Sequence, residues 1–382
     1  MKSNSIALLL GAVLCSLVAS SDTSAEFLNP TDFTGDSLGD FDVNVGQFVI
    51  DTDTQTLTGP SGVVGNGVVA DGIAVFSFDS FNLSGGASIQ TIGSLPAAIL
   101  SLGDLDLGGN GLNATAGGFG SGAGPGAGSS SDDSLSTDPG GGGGHGGAGG
   151  NSSANAGGVV VSGGGVGFGG AANGDLTVAL SGGSGGAGPD GGVLSGGGAG
   201  GGAIELNSLG DLTISAQVLA NGFDAPGDDG GGGGAGGGIR IRGDSVTLTS
   251  NALLSAEGGD GSQAFFDNGG GGGGGLILVE FLDLIDNNGT LSVEGGVGAD
   301  GPISGFGIGG FGNSFGSISN SFGSSSGSLG GKSTATIGFD DGLNGAAGLI
   351  TIQQGVPEPT TLALAGLALV PAWLRRRRYS GF

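Results

Sequence analysis

The sequence predicts an all-β fold: a parallel β-helix or related solenoid with glycine-rich loops, flanked by a signal peptide and a C-terminal hydrophobic tail. Three observations lead to this prediction. Glycine accounts for 98 of the 382 residues, against about 7% in an average protein. Its runs end abruptly in short β-prone segments, and these segments recur at a nearly fixed spacing.

Residues 1–25 have the pattern of an export signal. Lys2 supplies a short positive region, an apolar run covers residues 6–18, and small residues at 18–20 and 23–25 offer two cleavage sites. The alternative is a buried N-terminal helix. Cys15 is the only cysteine of the chain, so the mature protein is expected to lack both disulfides and thiol chemistry.

Residues 26–88 contain less glycine than the rest of the body. Residues 47–50 and 73–76 have the composition of strands. Because the open end of a β-helix needs to be covered, we predict that residues 26–88 form an N-terminal β cap.

Residues 89–355 are predicted to form the glycine-rich repeat solenoid. β-prone segments begin directly after a glycine at residues 203, 239, 276 and 349, with separations of 36, 37 and 73 residues. A period in this range is typical of stacked repeats. Each period offers three short strands and one acidic, glycine-rich loop, which suits a β-helix coil that buries its apolar face against its neighbours.

The glycine-rich loops are expected to project from one edge of this stack. Disorder is the alternative for the whole body, and it is the favoured interpretation for the run from 117 to 150. Residues 301–331 are either a degenerate coil or a loop. High glycine content without a period is typical of low-complexity sequence.

The charge of the chain excludes several functions. The formal net charge is -26, and the body holds all but two of the 34 acids but only three of the eight bases. Such a surface repels phosphates and anionic lipids and attracts cations. Nucleic-acid binding is therefore not expected.

Candidate catalytic chemistry is sparse, and we expect no enzyme activity and no catalytic residues. His145 lies alone in a glycine run, and one histidine cannot build a zinc site. Arg240 and Arg242 share one face of a predicted strand, opposite Ile239 and Ile241. An arginine acts as the base in polysaccharide lyases built on β-helices, but a solvated strand face beside acidic loops is the favoured interpretation here.

Calcium is the one cofactor that the sequence suggests, and only weakly. Residues 185–190 and 295–300 resemble the first six positions of the Ca²⁺-binding nonapeptide of RTX β-rolls. Asp190 and Asp300 are the candidate ligands. Both segments depart from the pattern two residues later, at Gly192 and Pro302, and neither occurs in tandem.

The C-terminal residues 356–382 form a distinct segment. A short motif is followed by a brief apolar stretch, residues 362–374, and then by a basic cluster. The motif is Val356, Pro357, Glu358 and Pro359, and the cluster is Arg375, Arg376, Arg377 and Arg378. The stretch is short for a membrane span, and the basic end is expected to stay cytoplasmic.

This order of motif, short transmembrane segment and arginine cluster resembles the PEP-CTERM family of sorting signals, which domain catalogues also describe as an ice-binding protein C-terminal domain. The resemblance covers about the last 27 residues. It implies recognition by an exosortase of a Gram-negative bacterium, an inner-membrane intermediate, and release to the cell surface or the exterior in a setting of exopolysaccharide or biofilm.

We therefore expect an exported structural protein of the cell surface or extracellular matrix. Its expected partners are a transient exosortase and an extracellular polysaccharide. The alternatives are a β-helix carbohydrate-active enzyme or adhesin and, third, an ice-binding protein. The last would need regular threonine ladders, to which only residues 52–56 point.

Overall fold

The computed structural model of the chain describes residues 27–130, 139–152, 167–189, 196–227, 230–263, 268–299, 327–330 and 343–354, with the backbone alone over 327–330. These ranges contain one short 3₁₀ helix, Pro30–Asp36, and eighteen strands. The strands are β1 (Asp40–Asp51), β2 (Thr56–Gly59), β3 (Gly62–Asn66), β4 (Val68–Ala70), β5 (Ile73–Phe78), β6 (Ser80–Ile92), β7 (Ala97–Ser101), β8 (Leu105–Leu107), β9 (Leu112–Ala114), β10 (Ala203–Ser208), β11 (Leu212–Ile214), β12 (Gln217–Leu219), β13 (Gly238–Leu248), β14 (Leu253–Ser255), β15 (Leu276–Asn287), β16 (Thr290–Ser292), β17 (Gly327–Gly330) and β18 (Leu349–Gln354).

The strands wind into a parallel β-helix with three faces, which confirms the predicted fold class. Sheet 1 contains β5, β7, β10, β13, β15 and β18. Sheet 2 contains β1, β6, β8, β11, β13 and β15. Sheet 3 contains β1, β6, β9, β12, β14 and β16. The longest strands bend at a corner and serve two faces, so each turn has three strand segments.

Alternate side chains of each strand point into the coil and form apolar columns, as the pleat of a strand requires. In sheet 1, Ile204, Ile239 and Ile277 occupy equivalent positions, and none is more than 1% exposed. The core is aromatic at its N-terminal end, where neighbouring phenylalanine rings lie 5.0–5.3 Å apart. These rings belong to Phe41, Phe48, Phe78 and Phe81.

The register between coils differs by one residue from the spacing of the sequence segments. Ile204 pairs with Ile239 and Ile239 with Ile277, which are offsets of 35 and 38 residues, where the segment starts predict 36 and 37. Leu276 pairs with Leu349 at the predicted 73. A slip of one residue would turn a whole set of side chains to the opposite face, so burial of the isoleucines fixes the observed register.

Residues 26–88, the predicted cap, contribute β1–β5 and the first part of β6. β1 pairs in parallel with β6, with Asp40 opposite Ser80, and so forms a coil of the same stack. Antiparallel strands cover outer edges here, β2 beside β1 and β4 beside β5. β4 and β5 are joined by Asp71 and Gly72, both with positive φ, as a tight hairpin turn requires. The proposed boundary at residue 88 falls inside β6.

The described glycine runs pack together as a buried bundle, which corrects two expectations. They do not project as loops from one edge, and residues 117–130 and 139–150 are ordered parts of the bundle rather than a disordered run. We call this the glycine bundle. Its runs are 117–130, 139–150, 167–171, 182–187, 197–202, 220–223, 230–237, 256–261, 269–275, 293–299 and 343–348.

In interior runs such as 230–237 and 269–275, the amide groups donate to three neighbouring segments in rotation, and the pattern repeats every three residues. A rotation of three residues per turn is the geometry of a polyproline II helix, whose backbone makes no internal hydrogen bonds. Run 230–237 shows the rotation, with N–O distances of 2.7–2.9 Å. The pairs are Gly232 to Ala187 and Ala235 to Ser184, Gly233 to Gly270 and Gly236 to Gly273, and Gly234 to Phe223 and Gly237 to Ala220.

A second, smaller core lies on the outer face of sheet 1. Residues 27–36, which we call the strap, lie across this face and contribute the buried side chains Phe27 and Leu28. Leu176 and Leu180 of a loop in the glycine-rich region cover the same face. Sheet 1 is therefore covered on both sides, which explains why its outward positions are also largely apolar.

Candidate functional site

The parallel register of sheet 1 places opposite charges side by side on its outer face. Glu205 of β10 pairs with Arg240 of β13, and Arg242 of β13 pairs with Glu280 of β15. Asn207 pairs with Arg242 on the other side. These residues face outward because the isoleucines and leucines that alternate with them face the core. We call these five residues the outer cluster.

The solvent exposure of the outer cluster increases from β10 towards β15. Arg240 Nη1 lies 3.3 Å from Glu205 Oε2, and the two side chains are only 2% and 0% exposed. Arg242 Nε lies 3.3 Å from Glu280 Oε1, with 17% and 13% exposure. Gln353 Nε2 donates to the other oxygen of Glu280 at 3.1 Å. The Glu205–Arg240 pair, which we call the inner pair, is therefore closed to solvent, whereas the Arg242–Glu280 pair keeps some contact with solvent.

The strap is held by this cluster through both polar groups of one backbone residue. The Leu28 N–H donates to Glu205 Oε1 at 2.9 Å, and Asn207 Nδ2 donates to the Leu28 carbonyl at 2.6 Å. The Phe27 ring lies over the Arg240 guanidinium, with 4.3 Å from Cζ to the ring centroid, and 5.6 Å from that of Arg242. This geometry adds cation–π attraction to the hydrogen bonds.

Burial dominates the electrostatics of the inner pair. It raises the pKa of Glu205 to about 7, although Arg240 and the Leu28 N–H act in the opposite direction. Burial also lowers the pKa of Arg240, which Glu205 partly offsets. Removing either partner would leave the other charge buried without its compensation, which is costly.

The structure corrects the sequence interpretation of Arg240 and Arg242. They do share the face opposite Ile239 and Ile241, but the strap covers Arg240 completely and leaves Arg242 only partly in contact with solvent. Arg240 is engaged by Glu205 and by the Phe27 ring, so it is not presented to a substrate. The arrangement is suited to holding a peptide segment: it offers an acceptor and a donor to one residue's backbone and a cationic surface to the preceding aromatic ring.

His145 is fully buried in the glycine bundle, and its ring makes two hydrogen bonds. Its Nδ1 lies 3.0 Å from the Gly236 carbonyl, and its Nε2 lies 3.0 Å from Ser181 Oγ. Since a carbonyl only accepts, Nδ1 carries the proton and Nε2 accepts from the serine hydroxyl. Burial lowers the pKa of His145 to about 4, so the ring is neutral at pH 7. Its ring joins runs 139–150 and 230–237 to Ser181, which directly precedes run 182–187.

Several acids of the glycine-rich loops link one coil to the next. Asp224 accepts from the amide of Asp260, and Asp260 accepts from that of Val297, both at 2.7 Å. Glu257 accepts a hydrogen bond from the Ser292 hydroxyl. These acids satisfy backbone or hydroxyl donors of the adjacent turn, so their repetition in the sequence has a structural origin.

Exposed acids also line the outer face of sheet 2. One outward column contains acids at three of its six positions, and the adjoining corner carries a further series of exposed aspartates. The column is Asp42, Asn82, Asp106, Thr213, Thr247 and Asp286. Coils are about 4.8 Å apart, and Asn82, Thr213 and Thr247 separate the acids of this column, so its nearest acids lie two coils apart. Within the described ranges, no group of three or more potential ligands is placed to hold a metal ion.

The other sequence-predicted sites lie outside the described residues. This applies to the sorting motif at 356–359, to the arginines at 375–378, and to Asp190 and Asp300. In the part of the chain that is described, no helix is both long and apolar enough to cross a membrane. The threonine run is described: Thr52 is fully buried and donates to the Ile92 carbonyl, so these residues form a turn rather than an exposed ladder.

Sequence reasoning identified Arg240 and Arg242 but missed their acidic partners and the strap. Glu205 and Arg240 occupy the same outward column, but alignment of the segment starts places Glu205 opposite Ile241. Matching the inward isoleucines instead of the segment starts gives the true register and pairs the two charges. The strap carries no comparable signal, because its anchors lie 177 and 179 residues away.

Comparison with known proteins identifies no relative of the chain. The chain matches no protein-family model, and no curated protein and no solved structure is detectably similar to it.

Proposed function

We propose that the chain is an exported structural protein of the surface or extracellular matrix of a Gram-negative bacterium. Its body is a rigid element, and its C-terminal segment is a sorting tail for an exosortase-type system. The protein is associated with exopolysaccharide or biofilm. The tail is the basis for the proposed destination, and the architecture of the described residues is the basis for the proposed structural role.

The glycine bundle is the observation that most supports a structural role. Five of its runs lie between β9 and β10 and the other six come in pairs from the next three coils, and most of their hydrogen-bonded amides donate to carbonyls of other runs. The β-helix beside it has an apolar interior along the described stack. Because these backbone amides are buried and hydrogen-bonded, we expect the body to resist local opening. Their hydrogens should accordingly exchange slowly with solvent.

The outer cluster offers less support for a carbohydrate-active enzyme. An arginine that acts as a base has to contact its substrate, whereas Arg240 lies beneath Phe27 and beside Glu205. The proposal therefore predicts no cleavage of acidic or neutral polysaccharides by the purified protein. Depolymerisation that is lost in an Arg242→Ala variant would favour the enzyme.

The sorting proposal is tested by the intact mass of protein recovered from the cell surface. The mature protein is expected to lack Arg375–Arg378, and changing Pro357-Glu358-Pro359 to three alanines is expected to leave an uncleaved, membrane-held form. Changing the adjacent Thr360 and Thr361 to alanine is the matched control and should leave processing intact. Surface protein that still ends at Phe382 would mean a simple anchor instead.

A further inference from the structure

The strap occupies a preformed socket rather than a place in a sheet ladder. The socket is the outer face of sheet 1, with Glu205 and Asn207 holding the backbone of Leu28 and with Arg240 and Arg242 beneath Phe27. All four of these side chains belong to β10 and β13, which pair with each other and with β7 and β15 independently of the strap. The socket is thus built from elements that do not include the strap.

The strap is joined to the first coil by a short connection with little steric hindrance. Ser37 bridges to Ser77 at the start of the stack, and Gly39 follows with a φ of +82°. A Cβ built on Gly35 or Gly39 meets no atom within 4 Å. Leu38 and Gly39 are hydrogen-bonded to Ser77 and Asp79 of the first coil, whereas Gly35 precedes this fixed point, so rotation at Gly35 can swing residues 27–34 away from sheet 1.

Any copy of the chain presents the same strap and the same socket. We propose that the strap of one copy fills the socket of another, so that the protein links into linear chains by exchange of residues 27–36. Exchange remakes in trans the contacts seen within one chain, which makes it a low-cost route to assembly. Because the donor and the acceptor surfaces are different, the contact is head-to-tail and does not have to close at a dimer.

Concentration decides between the closed and the exchanged forms. A short tether gives the chain's own strap an effective concentration in the millimolar range, so a dilute protein closes on itself. On a densely populated surface the protein concentration is high enough for exchange between copies to compete with closure within one chain. This inference concerns self-association, and it stands or falls separately from the sorting proposed above.

The test uses the exported full chain at about 0.5 mM, warmed to a few degrees below its melting temperature to open the strap and then cooled. Sedimentation should show a series of oligomers in integral multiples of the monomer mass, absent from a sample treated at one-hundredth of that concentration. A tenfold excess of a synthetic peptide of residues 27–36 during warming should reduce the oligomer fraction at least fivefold. The same peptide with Phe27→Ala and Leu28→Ala should have no effect.

Two protein variants sharpen the result. Phe27→Ala with Leu28→Ala should abolish oligomers, whereas Asp36→Ala, at an exposed position of the same strap, should form them like the unmodified chain. If the double variant fails to fold, the peptide competition on the unmodified chain decides alone. The proposal is overturned if the chain stays monomeric after this treatment, or if its oligomers are insensitive to the strap peptide.

Discussion

Glu205 occupies a single outward position of sheet 1 but combines several interactions. Its carboxylate is fully buried, pairs with Arg240, and accepts a hydrogen bond from the strap. Replacement of a buried ion pair by well-packed apolar residues is often neutral or stabilising. The distinctive contribution of the charged pair is therefore the position of the strap, whose Leu28 amide and Phe27 ring it contacts.

The titration of Glu205 gives a prediction about pH. The pKa is about 7 in the folded protein, against an ordinary value of 4.5, so the folded state binds the proton more tightly. The stability contributed by this difference is complete below pH 4.5 and is lost as the pH rises through about 7. Melting temperatures of the unmodified chain and of Glu205→Gln should thus diverge, with the unmodified chain losing stability relative to the variant between pH 4.5 and 7. A constant difference would contradict this.

His145 should behave in the opposite way. Its pKa is about 4 in the folded protein, against an ordinary 6.5, so the folded state disfavours the charged ring. The corresponding stability is complete above pH 6.5 and is lost as the pH falls through about 4. Relative to His145→Gln, the unmodified chain is expected to lose stability on acidification over that interval, measured by chemical denaturation at each pH. Parallel curves for the two proteins would refute the assignment.

At the scale of the element, the glycine bundle depends on the missing side chain. A Cβ built on Gly272 would lie well inside contact distance of the Gly234 carbonyl oxygen. Gly272→Ala should therefore destabilise the fold by about 1–3 kcal/mol, as overpacking of a core does. Gly120 is the matched control: it lies in the same glycine-rich region, and a Cβ there meets no atom within 4 Å.

Denaturant unfolding of the two variants measures the contrast. Gly120→Ala is expected to stay within about 1 kcal/mol of the unmodified chain and on the stabilising side, because it restricts the unfolded state. Equal effects of the two substitutions would mean that the bundle is looser than its hydrogen bonds indicate.

The strands could be predicted from the sequence, whereas the bundle and the strap could not. Alternation in segments such as residues 212–215 and their recurrence after glycine carry the signal for stacked coils. Glycine runs have no side chains and hence no pattern from which neighbours can be inferred. They resemble disordered sequence because their order resides in backbone hydrogen bonds between distant runs.

The candidate site was predictable only in part. Arg240 and Arg242 were identifiable as an unusual basic pair in an acidic body. Their partners were hidden by an error of one residue in register, which exchanges the inward and outward faces. The coverage by Phe27 depends on tertiary contact across the whole first half of the chain, and no local pattern encodes it.

For the whole molecule, repulsion between negative charges opposes folding, and solution conditions can weaken this repulsion. Exposed aspartates lie along the sheet 2 face and its adjoining corner, and the chain carries a net charge of -26. Cations that accumulate at such a surface should relieve the repulsion. The melting temperature is thus expected to rise with NaCl, and to rise further in millimolar Ca²⁺ than in NaCl of matched ionic strength. Equal melting temperatures at matched ionic strength would reject specific calcium binding.

The threefold rotation of the amides in the glycine bundle also constrains how the gene can change. Loss of one codon from a run would turn every following amide by about 120° and direct it at the wrong neighbour. Loss of three codons would restore the direction and shorten the run by one turn. Insertions and deletions in the glycine runs should thus survive mainly in steps of nine nucleotides, whereas the turns that connect the runs can vary in length more freely.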